Sequence, residues 1–176
     1  MNIHTTEVNE EVFVTLDPIT RVDRSDIEWL KEKAAGNIRE RARLCAHLSV
    51  DDAVHEMLIV HTKDTYIRPH KHPGKSESFH IIEGALDIVV FDDSGEVLDL
   101  IAMAEYSTGS RFYWRLSKSH FHMVIPKSNV VVFHETTGGP FDRSTSNVAA
   151  SWSPGEDDAA GQAIFLAQLA EKLEQT

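Results

Sequence analysis

From residue 42 to residue 135 the sequence is a succession of short strand-like runs, and that succession limits the fold more than any other feature. Residues 42–48 alternate Ala42, Leu44, Ala46 and Leu48 with Arg43, Cys45 and His47. That period of two is what a strand with one buried face requires. Further runs follow at 56–61, 64–70, 77–83, 86–91, 97–103, 111–116, 121–125 and 129–135. Turn-forming clusters separate several of them: His72-Pro73-Gly74, Asp92-Asp93-Ser94-Gly95 and Pro126-Lys127-Ser128-Asn129. The short connections suit antiparallel pairing, and many short strands at this spacing imply a sandwich or barrel.

Helices are expected only at the flanks. Residues 11–15 read as a short strand, and Ser25-Asp26-Ile27-Glu28 has the form of a capping box. It predicts a helix from Ser25 to Ala35, with Gly36 as a C′ stop. Thr136 to Pro154 is rich in Gly, Ser, Thr and Pro and reads as an ordered loop. Residues 158–174 space Ile164, Leu166, Leu169 and Leu173 as a helix does, although Gly161 weakens the first turn. The chain shows no internal repeat or long linker, so 1–176 reads as one domain. Its parts are an N-terminal strand and helix (1–36), a barrel (37–135) and a C-terminal loop and helix (136–176).

Charge and composition remove several function classes. A net charge of -11 disfavours nucleic acid and anionic membranes as partners, since both need a basic surface. The single cysteine, Cys45, cannot form an intrachain disulfide. With no signal-peptide pattern and no apolar run of transmembrane length, a cytoplasmic location is expected.

The segment Arg68 to Gly84, RPHKHPGKSESFHIIEG, carries the chemistry. His70 and His72 lie two apart on an expected strand, so both imidazoles share one face. Pro73-Gly74 lets the chain turn, and Glu77 can return a carboxylate oxygen to the same point. Imidazole and carboxylate together suit a divalent transition-metal ion; iron, manganese, nickel, zinc and copper all accept such a set. Arg68 and Tyr66 share parity with the two histidines, so they are candidate pocket residues, Arg68 for an anionic group of a substrate. His134 is a further pocket candidate on a strand whose facing the sequence leaves open, whereas His80 falls on the face opposite Glu77.

His70, His72, Glu77 and Gly84 match the first cupin motif, HxHxxxxExxxxxxG, without a gap. SKSHFHMVIP resembles part of the second motif, PxGxxHxxxN, and the resemblance implies His122 as the fourth ligand. Ser117, Ser119 and Pro126 depart from that motif, and His120, on the same face as His122, is the rival. TYIRPHKHPGKSESFHIIEG, VVVFHETTGGPFD and WSPGED look like the WbuC family of cupin-fold metalloproteins, a likeness covering about residues 37–157. The resemblance implies an all-β double-stranded β-helix, a jelly-roll barrel, with a helix at each end and the metal inside. It also implies a homodimer as an available assembly. Four protein ligands leave open coordination positions. The expectation is therefore a metal-dependent enzyme acting on a small polar molecule, carbohydrate-related only by the family's name. The rival expectations are a non-catalytic ligand-binding module and a structural metal.

Overall fold

The computed structural model describes residues 3–174. In chain order the strands are β1 (Thr5–Asn9), β2 (Val12–Thr15), β3 (Arg41–Cys45), β4 (Val54–Thr62), β5 (His70–Lys71) and β6 (Glu77–Glu83). Then come β7 (Ala85–Phe91), β8 (Val97–Ala104), β9 (Tyr113–Leu116), β10 (Phe121–Pro126), β11 (Val130–Gly138) and β12 (Val148–Ala149). Helix α1 (Arg24–Ala35) precedes β3, and α2 (Ala159–Glu174) closes the chain. Among the described residues no helix is long and apolar enough to cross a membrane.

The strands form a seven-stranded sheet, β1-β2-β3-β4-β11-β6-β9, and a five-stranded sheet, β12-β5-β10-β7-β8. From β4 to β11 the pairings are nested, β7 with β8, β6 with β9, β5 with β10 and β4 with β11, each antiparallel. The chain is in effect one long hairpin wound back and forth between two sheets. This is the double-stranded β-helix, the cupin barrel, with a helix against the outside of each sheet.

Alternation along the strands makes three apolar layers. On β11, Val131 and Phe133 face the barrel interior with Met57, Ile59, Phe79, Ile81, Ile88 and Val124, while Val132 faces out. There α1 lays Leu30 and Ala34 over Ala42, Leu44, Val60 and Val132, and Trp29 meets Phe13 edge-on at 4.8 Å. On the other side α2 sets Leu169, Phe165 and Leu166 against Val89, Phe91, Phe121 and Met123. Gly84, between β6 and β7, has φ +78°, and a Cβ there would lie 2.4 Å from both Ser128 Oγ and Val130 O. Only glycine fits that turn.

Several local expectations are corrected. The capping box is built by Asp23 and Asp26 rather than Ser25 and Glu28: Asp23 accepts from Ser25 N at 2.7 Å, and Asp26 accepts from Asp23 N at 3.1 Å. Carboxylates at a helix N-terminus gain from the axial dipole as well as from the hydrogen bond. Gly36 ends α1 as a right-handed C-cap with φ -93°, not as a left-handed C′ residue. Of the run 64–70 only His70 belongs to a strand. Pro69 has no N–H to give a ladder, and Thr65 Oγ1 donates instead to Glu40 O at 2.6 Å. The stretch 136–154 is not all loop: β11 continues to Gly138, and β12 pairs with β5. Strand β1 is exposed and polar, so it lacks the alternation that reveals a strand.

His61 on β4 is buried at the apolar end of the barrel, edge-on to Phe133 at 5.3 Å, with Nδ1 lacking a hydrogen-bond partner. Burial, then the charge of Arg43, pushes its pKa down to about 3. Below about pH 6.5 the unfolded chain therefore takes up a proton that the folded chain refuses, and stability falls as pH drops from 6.5 towards 3. In metal-free protein, His61→Leu should remove about 2 kcal/mol of the stability lost between pH 7.5 and pH 5. Denaturant unfolding at the two pH values checks this; an equal acid loss in variant and parent contradicts it.

Candidate metal centre

Two strands of the five-stranded sheet and one of the seven-stranded sheet bring four side chains to one end of the barrel interior. His70 on β5 and His122 on β10 are direct cross-strand partners. His72 follows β5 by one residue, and Glu77 opens β6. The ligand nitrogens of His70, His72 and His122 lie within 4.8 Å of one another, close enough to serve one ion. Glu77 Oε1 is 3.2 Å from His72 Nε2, and Oε2 is 2.9 Å from His122 Nε2. His122 and Glu77 are almost completely buried.

The tautomers follow from the hydrogen bonds. His70 Nδ1 meets the carbonyl of Arg68 at 2.9 Å, His72 Nδ1 that of Ser146 at 2.7 Å, and His122 Nδ1 that of His120 at 3.2 Å. A carbonyl only accepts, so each Nδ1 carries the hydrogen and each neutral ring presents a bare Nε2 lone pair. Those of His72 and His122 point at a carboxylate, which also only accepts. Six buried side-chain polar atoms lack a hydrogen-bond partner among the described residues, and His72 Nε2, His122 Nε2 and Glu77 Oε2 are three of them. Acceptor facing acceptor in a buried place is repulsive unless a proton or a metal cation lies between. The residues present therefore fit a divalent metal ion.

Titration tells the same story from the proton's side. Burial resists charge on His72, but the Glu77 carboxylate outweighs it and raises the imidazole to about 9. His70 goes the other way, to about 3, through burial and then its histidine neighbours. Glu77, despite its burial, is held well below the usual carboxylate range by His122 and His72. The set demands positive charge and places it against Glu77.

The sequence candidates separate in space. His120 lends its backbone carbonyl to His122, and its imidazole lies outside the three-ring group. Arg68 does not face the centre as a free cation. Its guanidinium donates to Ser153 Oγ and to the carbonyls of Ala150 and Ser153 at 2.8–3.1 Å, clamping the segment after β12. Tyr66 donates to Pro154 O at 3.2 Å and packs in the layer under α2. The parity argument fails for both because residues 64–69 are not strand. His134 lies opposite His80 on the outer face, 3.9 Å from Glu56, away from the four-residue cluster. His80 is exposed.

Glu135 was not foreseen. It opposes Phe79 of β6, and burial followed by the charge of Glu77 pushes its carboxyl up to about 8. The signal was present: Val131, Phe133 and Glu135 share one face of β11. Lys75, in the turn between His72 and Glu77, donates to Pro140 O and to Ser146 Oγ.

Residues 22–103, less than half of the chain, match the model of a family described as a domain of unknown function (DUF6016). No curated protein matches the sequence. Among solved structures, protein SO0799 from Shewanella oneidensis superposes with a TM-score of 0.53 at 9% identity, over 64% of this chain and 75% of that one. Oxalate decarboxylase from Lactobacillus farciminis gives 0.45 at 12% identity, over 56% of this chain and 27% of that one. Procruciferin, the 11S globulin of Brassica napus, gives 0.42 at 8% identity, over 50% and 21%. The chain thus spans about a quarter of the length of these last two proteins. The likeness to the Shewanella protein is one of fold, and the two lower scores carry no further argument.

Alanine substitution should sort the histidines. His70→Ala, His72→Ala and His122→Ala should each cut metal per chain severely, because each removes a bond to the ion. His80→Ala should leave metal content near normal, and His120→Ala should fall between, its imidazole being outside the cluster while its carbonyl remains. Elemental analysis of the five purified variants decides; full occupancy in His122→Ala with loss in His120→Ala would reverse the assignment.

Proposed function

We propose that this cupin holds one divalent transition-metal ion through His70, His72, Glu77 and His122, and uses an open coordination position to bind a small polar molecule and act on it. The observation that carries the reading is the convergence of the His70, His72 and His122 ring nitrogens within 4.8 Å of one another, with the buried Glu77 carboxylate against two of them. When bound, the ion would polarise a substrate oxygen as a Lewis acid. The chain's own residues would orient the ligand rings and exclude water from the ligand carboxylate. Glu135 would stand beside Glu77 as a group able to hold a proton at that end of the barrel. Resemblance to the WbuC family supports the same reading and offers a carbohydrate-related substrate as its finer form.

A structural metal is the second reading, favoured by the near-complete burial of His122 and Glu77 and by their origin in opposite sheets. Cobalt(II)-substituted protein separates the two. Added azide or acetate should shift the visible spectrum if a coordination position is open, and should leave it unchanged if the ion is purely structural.

Both readings require that metal stabilise the fold. Stripping with chelator should lower the thermal midpoint, and divalent metal should restore it. An ion bound only by the folded state contributes about 2.7 kcal/mol at a hundredfold over its dissociation constant. An unchanged midpoint in protein shown to be metal-free counts against the site.

A further inference from the structure

The segment from Gly139 to Ser146 is tied to the metal centre by side chains that the four-ligand reading does not use. Its exposed part runs from Pro140 to Thr145, and Ser146 at its end is buried. Ser146 receives three contacts. Its carbonyl accepts from His72 Nδ1 at 2.7 Å, its Oγ accepts from Lys75 Nζ at 3.0 Å, and the same Oγ accepts from Asp142 N at 2.9 Å. Lys75 also donates to Pro140 O, so one ammonium group grips both ends of the exposed part. Thr145 N and Ser146 N turn back to Asp142 O. Lys75 itself sits in the turn between His72 and Glu77, and its amide donates to His72 O at 3.2 Å.

We propose that Lys75 and Ser146 are positioning residues that couple metal binding at His72 to closure of segment 139–146 beside the site. The coupling runs through one imidazole. A cation on Nε2 fixes the ring in the one orientation in which Nδ1–H meets the Ser146 carbonyl, so ring and segment are ordered together when the ion binds. Binding linkage makes the effect mutual: whatever holds the segment closed holds the His72 ring in its ligating orientation and raises metal affinity by the same factor. The inference rests on the proposed metal site and adds a moving part to it.

Trypsin reads the coupling directly, because Arg143 lies exposed within the segment. In the full chain, zinc or manganese should slow cleavage after Arg143 by fivefold or more relative to stripped protein. Lys75→Met should speed cleavage in the metal-loaded protein and weaken metal affinity, measured by chelator competition, by a similar factor. Its metal-free thermal midpoint should stay near the parent's, which separates coupling from general damage. Lys75→Arg, which keeps a cationic donor, should restore much of the protection. Stoichiometric metal with an unchanged cleavage rate in the parent overturns the coupling while leaving the metal site intact. Failure to take up metal at all removes both.

Discussion

Three backbone carbonyls, those of Arg68, His120 and Ser146, fix a proton of each imidazole at Nδ1 and so aim three Nε2 atoms into the barrel. Free histidine exchanges tautomers readily; here the choice is made by the chain's own path. For His70 and His122 the accepting carbonyl lies two residues earlier, so the local backbone that presents the ring also sets its tautomer. For His72 it comes from residue 146, far along the chain. The third ring is therefore set only when the segment after β11 has packed, which makes the completed fold a condition of the completed site.

That arrangement is costly without a cation. Glu77 lies almost wholly buried among acceptors, and Glu135 adds a second carboxyl group beside it. A buried carboxylate needs a partner that supplies positive charge or hydrogen. In metal-free protein a proton on His72 serves, which is why that ring is raised to about 9 while His70 is driven to about 3 by burial and by the neighbouring histidines. A divalent ion would replace that single proton with a charge shared by all four groups. The apolar half of the barrel, with Phe79, Ile81, Val131 and Phe133, keeps water from solvating the cluster from below.

The barrel was legible in the sequence because alternation is a local signal: most strand runs, the two helices and the Gly84 turn could be read from residues near one another. His70, His72 and Glu77 were legible for the same reason, being gathered by one strand, one turn and the next strand. What failed depended on distant partners. Parity carried from His70 back to Arg68 and Tyr66 assumed a strand that Pro69 and the Thr65–Glu40 bond prevent. Instead of facing the metal centre, Arg68 holds the segment from Ala150 to Ser153. His134 could not be oriented without knowing that Val132 lies under α1 and Phe133 in the barrel. Glu135 required the same knowledge, and Lys75 required residues 140 and 146 as its acceptors.

The four clustered side chains also come from both sheets, and that has a mechanical consequence. His70 and His122 are paired neighbours in the five-stranded sheet, whereas Glu77 belongs to the seven-stranded sheet, opposite Thr137 of β11. An ion held by this set would join the sheets at one end of the barrel, while apolar packing joins them at the other. Packing there is non-directional and tolerates small shifts between the sheets; coordination does not. The metal end would then be the rigid end, with its geometry fixed by bonds. Segment 139–146, which reaches it through His72 and Lys75, is the exposed element placed to move against that fixed point.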